Sequence, residues 1–172
     1  ESEPVNKVKY NHPIEVNHLA ELDSLKGFNV ITTKGEFFMK VYPDEAPGAV
    51  QNIKNLVDQG FYNQKLFHRV VPAFVAQTGC PDGDGWGGLD YTVRSEFSML
   101  RYSRGAVGMA SIGPDTENCQ WFVTFAPTPH LNGRYTLFAF ITEGMEIVDQ
   151  LEIGDRIIKM NPVYHKAEAP LD

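Results

Sequence analysis

The chain is poor in cysteine: its 172 residues include two, Cys80 and Cys119. They are too few and too far apart for a zinc ribbon or a CxxC redox motif, and with no metal site expected the plain reading is two separate buried thiols. Long apolar runs are also missing, so no segment offers the ~20 apolar residues of a membrane-spanning helix. Nor is there an excess of cations. Fifteen Lys and Arg stand against 22 Asp and Glu, a net charge of -7, and the basic residues are scattered. A general nucleic-acid or anionic-membrane binder clusters Lys and Arg against phosphates, so neither partner is expected. The opening Glu1-Ser2-Glu3-Pro4 has neither an initiator methionine nor the basic and apolar regions of a signal peptide, yet it suits a cut made after one. Cytoplasmic and periplasmic or secreted locations both stay open. No internal repeat or low-complexity tract occurs.

What is present suits one domain: 42% hydrophobic content in a chain of this size can bury a core without metal or disulfide support. Residues 1–26 are polar, contain Pro4 and Pro13, and carry Leu19, Leu22 and Leu25 at threefold spacing, which predicts an arm or linker with a short helix. The compact domain is expected over 27–163 and a polar tail over 164–172. Runs 28–33 and 36–42 flank Lys34-Gly35 and predict a hairpin. Residues 44–60 predict a helix: Pro47 fits its first turn, Gly60 its C′ position, and Ala49, Val50, Ile53, Leu56 and Val57 fall on one face. A second helix is expected over 145–151 from Ile147, Val148 and Leu151. Strands are expected over 136–142 and 157–160.

Three stretches carry the chemistry. Phe67-His68-Arg69-Val70-Val71-Pro72-Ala73-Phe74, followed by Gln77, reads as two short strands broken at Pro72, since proline cannot donate to a sheet ladder. A fixed cation, an aromatic ring and an amide here can hold an apolar ring and grip the peptide groups beside it. By pattern alone an arginine on a strand is ordinarily solvated and phenylalanine ordinarily core. Residues 105–124 pair a strand of small residues with a Gly-Pro turn and a second strand, Trp121-Phe122-Val123-Thr124. Small side chains at Gly108 and Ala110 leave room for a bound backbone, or simply serve tight strand packing. Pro129-His130-Leu131-Asn132-Gly133-Arg134-Tyr135 holds a strong Asn-Gly turn signal. Between these blocks, Gly79, Gly83, Gly85, Gly87 and Gly88 surround Asp82, Asp84 and Trp86 in a tight loop. A phosphate cradle there lacks its helix and its Lys, and the place of a calcium loop's last ligand is held by Val93, so a groove wall is the better reading.

In order, the three blocks resemble the cyclophilins, the cyclosporin-binding class of peptidyl-prolyl cis/trans isomerases. The resemblance runs from about Phe28 to Ile158, with departures that point to a divergent, bacterial-like member. It implies an all-β dominated fold, a closed eight-stranded antiparallel β-barrel capped by two α-helices, and an isomerase that needs no cofactor. It implies Arg69 and Gln77 as catalytic residues, with Phe74, Val75, Ala110, Ser111, Gln120, Phe122, His130, Leu131 and Tyr135 binding substrate. Phe74, Val75, Phe122 and Leu131 are to surround the proline ring, while the main chain at Ala110 and Ser111 pairs with the residue before it. Proline-containing peptides and unfolded proteins are the implied partners of a monomer. The resemblance also brings the loops of Cys80 and Cys119 to one groove, which sets a disulfide beside the plain reading of two free thiols.

His130 stands where many members carry tryptophan, Tyr135 where many carry histidine, Val75 where methionine is usual and Ser111 where asparagine is common. Weak cyclosporin binding with isomerase activity retained is the expectation, because tryptophan loss removes an indole N–H and much apolar area. The alternative function is a proline-peptide-binding chaperone or scaffold module with little turnover. A hydrolase built on Ser111 and His68 ranks below both, since no nucleophile elbow surrounds a serine.

Overall fold

The computed structural model describes residues 9–10 and 19–165. In chain order they form β1 (Lys9–Tyr10), α1 (Leu19–Ser24), β2 (Leu25–Thr32), β3 (Gly35–Val41), α2 (Pro47–Asp58), β4 (Phe67–Val71), β5 (Val75–Thr78), β6 (Tyr91–Thr92), β7 (Ala106–Met109), β8 (Trp121–Thr124), β9 (Leu137–Glu143), α3 (Met145–Val148) and β10 (Ile157–Tyr164). A 3-10 turn, Pro129–Leu131, precedes β9. Eight strands make one curled antiparallel sheet in the order β10-β2-β3-β9-β7-β8-β5-β4, so the chain is β-dominated as its sequence implies. At the two edges, Leu66 bridges Arg156, and Gln64, Phe67 and Ile157 N–H groups donate to Ile157, Asp155 and Lys65 carbonyls. Among the described residues no helix is long and apolar enough to cross a membrane.

The β2–β3 hairpin forms where the alternating pattern places it, but its turn is Thr33-Lys34, because Thr32 already pairs with Gly35. The Thr32 hydroxyl closes that turn by donating to the Gly35 carbonyl at 2.8 Å and accepting the Lys34 N–H at 3.2 Å. The last strand runs past the expected 157–160 to Tyr164, carrying Pro162. Proline is tolerated there because β10 is an edge strand in the sheet order.

Helix α2 buries Ala49, Val50, Ile53, Leu56 and Val57, the face its periodicity marks. It ends at Gly60, whose φ of +70° suits a residue without Cβ. Its N-cap residue, Ala46, supplies no side-chain acceptor. Instead the Glu96 carboxylate, from the segment after β6, accepts the N–H groups of Gly48 and Ala49 at 2.9 and 2.8 Å. Those donors and the positive end of the helix dipole favour its charge. Burial is the larger influence and pushes its carboxyl above the ordinary value. The second expected helix shrinks to one turn, α3, which opens on Gly144 with no side-chain cap. Turn-type bonds from Gln150 and Leu151 N–H to Ile147 and Val148 carbonyls then carry Leu151 into the core. Helix α1 lies at the predicted leucine triplet and buries Leu22 in the same core.

Apolar burial falls on both faces of β5, β7 and β8. Ala76, Val107, Met109, Trp121 and Val123 belong to the main interior core. Val75, Ala106 and Phe122 point the other way and join Tyr102, Leu131 and Leu137 in a second cluster.

Replacing Glu96 with alanine leaves two helix N–H groups without their acceptor. Urea denaturation is expected to show a loss of about 1–2 kcal/mol, the typical cost of removing an N-terminal cap. An unchanged midpoint would show that α2 does not depend on this carboxylate.

Candidate active site

The second cluster is open at one side. Arg69, Phe74, Val75, Gln77, Ala110, Ser111, Phe122, Leu131 and Tyr135 line a hollow of about 280 Å³. Pairing across the ladder explains the assembly: Gln77 opposes Phe122, and Phe122 opposes Gly108 on its other side, so all three lie on the outward face. Val75, Phe122 and Leu131 are buried and form the floor and walls. Phe74 follows the β4–β5 turn, where Ala73 takes a left-handed φ of 58° and the Phe74 N–H donates to the Val71 carbonyl. Tyr135 meets Phe122 edge-on at 5.9 Å, and Tyr102 stacks on the same ring at 5.8 Å.

Arg69 stands exposed on β4 at the rim. Its guanidinium lies 5.7 Å from the Phe74 ring centroid, and Nη1 donates to Gln77 Oε1 at 3.5 Å. No ion pair among the described residues involves it, so no carboxylate neutralises its charge. From Gln77 the contacts run inward: Gln77 Nε2 donates to Gln120 Oε1 at 2.9 Å, and Gln120 Nε2 donates to the Gly85 and Gly87 carbonyls at 3.0 and 2.8 Å. The amides thus tie the arginine to the glycine-rich loop.

That loop has no regular element and forms one wall of a larger cavity of about 540 Å³. The two cavities share Gln77, Ala110 and Ser111. Asp84 serves the loop itself: its carboxylate accepts the Trp86 N–H at 2.8 Å, which holds the carboxyl below its ordinary value. Burial pushes the His68 imidazole below its ordinary value, against the smaller opposing influence of the Leu66 backbone and the Gln120 side chain. Ser111 makes no hydrogen bond to a histidine among the described residues, so no nucleophile–base pair stands here.

Nine of the eleven residues singled out in the sequence line the hollow; Gln120 and His130 do not. Gln120 lines the adjoining cavity and reaches the hollow through Gln77. His130 is exposed and stacks on the outer face of Phe74 at 5.6 Å with an interplanar angle of 29°. Gly108 resolves in favour of packing, since a Cβ there would fall on the Tyr102 hydroxyl and 2.7 Å from Phe122 Cζ. The Ala110 N–H is already given to the Gln120 carbonyl. Tyr102 was missed by sequence reasoning: it backs Phe122, and its hydroxyl donates to the Tyr135 carbonyl at 3.2 Å. A lone tyrosine in an irregular segment carries no pattern that would mark it.

The curled antiparallel sheet thus bears a recessed apolar hollow, with an arginine at its rim that no described carboxylate pairs, and a hollow of this kind can accept a small apolar ring. The family model described as cyclophilin type peptidyl-prolyl cis-trans isomerase matches residues 28–166. Peptidyl-prolyl cis-trans isomerase B of Bacillus subtilis is 40% identical over 131 residues, covering 75% of this chain and 92% of that protein. A peptidyl-prolyl cis-trans isomerase of Helicobacter pylori is 41% identical over 130 residues, covering 73% and 80%. The crystal structure of a cyclophilin type isomerase from Cryptosporidium parvum superposes with a TM-score of 0.76 at 28% identity, covering 83% of this chain and 98% of that one. The chain belongs to the cyclophilin-type peptidyl-prolyl cis-trans isomerases, and isomerisation of prolyl peptide bonds is its activity.

Gly108→Ala is expected to drive the Phe122 ring outward into the hollow. In a proline-peptide exchange assay kcat/KM should fall by up to about a hundredfold, the cost that a ~1 Å displacement at a positioning group can reach. Wild-type kinetics in a folded variant would mean that the ring has room to spare.

Proposed function

We propose that the hollow of Phe74, Val75, Phe122 and Leu131 holds the proline ring of a peptide or unfolded chain while Arg69 stabilises the twisted imide. A prolyl bond prefers trans by less than ~1 kcal/mol, yet resonance sets a barrier of ~18–20 kcal/mol to rotation. Twisting removes the resonance and returns a lone pair to the prolyl nitrogen. A guanidinium donor beside that nitrogen stabilises the twisted state more than either planar one, and only such a difference accelerates the reaction. The observation that carries this reading is that Arg69, uncompensated by any described carboxylate, shares one 280 Å³ hollow with the apolar walls.

Gln77 and Gln120 orient the guanidinium through their amide–amide bond. Main-chain pairing with the residue before proline falls to the Ala110 carbonyl and Ser111, because the Ala110 N–H is engaged. Tyr135 borders the hollow, and His130 braces Phe74 from outside it. A crystal structure of the Cryptosporidium relative, with a TM-score of 0.75 and 28% identity, was determined in the presence of the dipeptide Ala-Pro, which supports a proline-containing ligand. The backbone bonds between the Gln64–Phe67 and Gly154–Ile157 segments support reading the curled sheet as a closed barrel.

Arg69→Ala is expected to lower kcat/KM for cis-to-trans exchange by about 10²–10³, the usual effect of deleting one preorganised donor, with peptide affinity changed far less. Equal rates for wild type and variant would remove arginine from the mechanism. Peptide binding without exchange broadening in NMR spectra would instead mark a binding module.

Cyclosporin is expected to inhibit this protein only in the micromolar range, since His130 offers no indole at the rim. His130→Trp should tighten inhibition. Nanomolar inhibition of the wild type would overturn the expectation.

A further inference from the structure

β5 and β8 pair in strict antiparallel register, from Val75 opposite Thr124 to Thr78 opposite Trp121. Continued two residues past that last pair, the same register would set Cys80 opposite Cys119. Gly79 keeps the two segments together: it adopts φ +88°, and a Cβ there would lie on the Cys119 carbonyl and 3.1 Å from the Gln120 Cα. Both cysteines are buried with free thiols, Cys119 in the main core and Cys80 against the glycine-rich loop. Directly opposed residues in an antiparallel pair have Cα atoms about 4.5–5.5 Å apart. A disulfide spans about 4.4–6.8 Å, a separation that such an opposed pair would satisfy. Cys80 is also among the groups, after burial, that push the Cys119 thiol up to about 12.

We propose that Cys80 and Cys119 are a reversible redox pair whose disulfide loosens the amides that position Arg69. Cys80 Sγ accepts the Gly85 N–H at 3.2 Å and lies 3.5 Å from an Asp84 carboxylate oxygen. Gly85 and Gly87 supply the two carbonyls that hold Gln120. Turning Cys80 Sγ toward Cys119 withdraws it from the Gly85 N–H, so the loop loses an internal anchor at the place where Gln120 leans on it. The disturbance then passes through Gln77 to Arg69. The cover over Cys80 is a loop without regular secondary structure, so access needs local opening rather than unfolding of the sheet.

The oxidant is a low-molecular-weight disulfide such as oxidised glutathione. The Cys80 thiolate attacks one of its sulfurs, forming a mixed disulfide and releasing one glutathione thiolate. The Cys119 thiol then loses its proton and attacks the Cys80 sulfur, releasing the second. Two cysteine thiols are oxidised to one disulfide, one glutathione disulfide is reduced to two thiols, and the protons leave on the glutathione.

Both halves are tested on the full chain incubated across a series of reduced-to-oxidised glutathione ratios. Alkylation under denaturing conditions followed by non-reducing peptide mapping should show both thiols disappearing together into one Cys80–Cys119 cross-linked peptide. Thiols that remain alkylatable, or that stop at separate glutathione adducts, overturn the pair. The activity half rests on the isomerase reading. Oxidised wild type should lose up to about a hundredfold in exchange rate, the cost that a ~1 Å misplacement can reach, and recover on reduction with dithiothreitol. Cys80→Ala, which cannot begin the exchange, should show the same rate before and after oxidation. A cross-linked protein with undiminished rate overturns the coupling to Arg69. Were the reduced protein itself inactive, the mapping would still decide the pair while the isomerase reading alone would fail.

Discussion

The site depends on one constraint: β5, β7 and β8 bury apolar residues on both faces. Side chains alternate across a strand, so every residue sent into the interior fixes the orientation of its neighbours. With Ala76, Val123 and Trp121 in the core, Gln77 and Phe122 must face outward. A slip of one residue would place Trp121 in the hollow and Phe122 in the core, and would turn Gln77 inward where its amide has no partner. The strong interior preference of the large indole therefore sets the register that the hollow requires. Stability and site geometry are two consequences of the same pairing.

Alternation places side chains but does not hold a long arginine still. That falls to the amides of Gln77 and Gln120. A carboxylate at Gln77 would grip Arg69 more firmly, yet it would also neutralise the charge that the proposed mechanism sets against the imide nitrogen. Amides orient without neutralising. Their far end is fixed on loop carbonyls rather than on side chains, which explains the glycine density: Gly85 and Gly87 bring main-chain oxygens within 3.0 and 2.8 Å of the Gln120 amide nitrogen.

Much of this was legible in the sequence because it is local or periodic. The β2–β3 hairpin, the apolar face of α2 and the Pro72 break each follow from patterns within about a dozen residues. The family likeness added the hollow, whose nine lining residues come from segments far apart in the chain. What escaped is contact between distant segments with no periodic signature. Glu96 caps α2 from 48 residues away, so nothing beside the helix start marks it. The turn of α3 was overestimated because Leu151 keeps a helical spacing while leaving helical geometry. Gly108 was ambiguous because openness and crowding select the same small residue. Its crowding by Tyr102 and Phe122 became evident only in three dimensions.

Magnitudes indicate why so few polar groups suffice. One preorganised donor in a water-poor site contributes about 2.7–4 kcal/mol. Taken from a barrier of ~18–20 kcal/mol, that leaves roughly 14–17 kcal/mol, or turnover on the order of one to a few hundred per second. Rates of that size are ordinary for enzymes, so the chemistry asks for no nucleophile and no proton transfer. The cost moves to geometry instead. A ring held loosely would rotate with the acyl side, and the imide would turn as a body without losing resonance. On the proposed mechanism, Phe122 pinned between Tyr102 and Tyr135, and Phe74 braced by His130, are therefore as necessary as the charge they face.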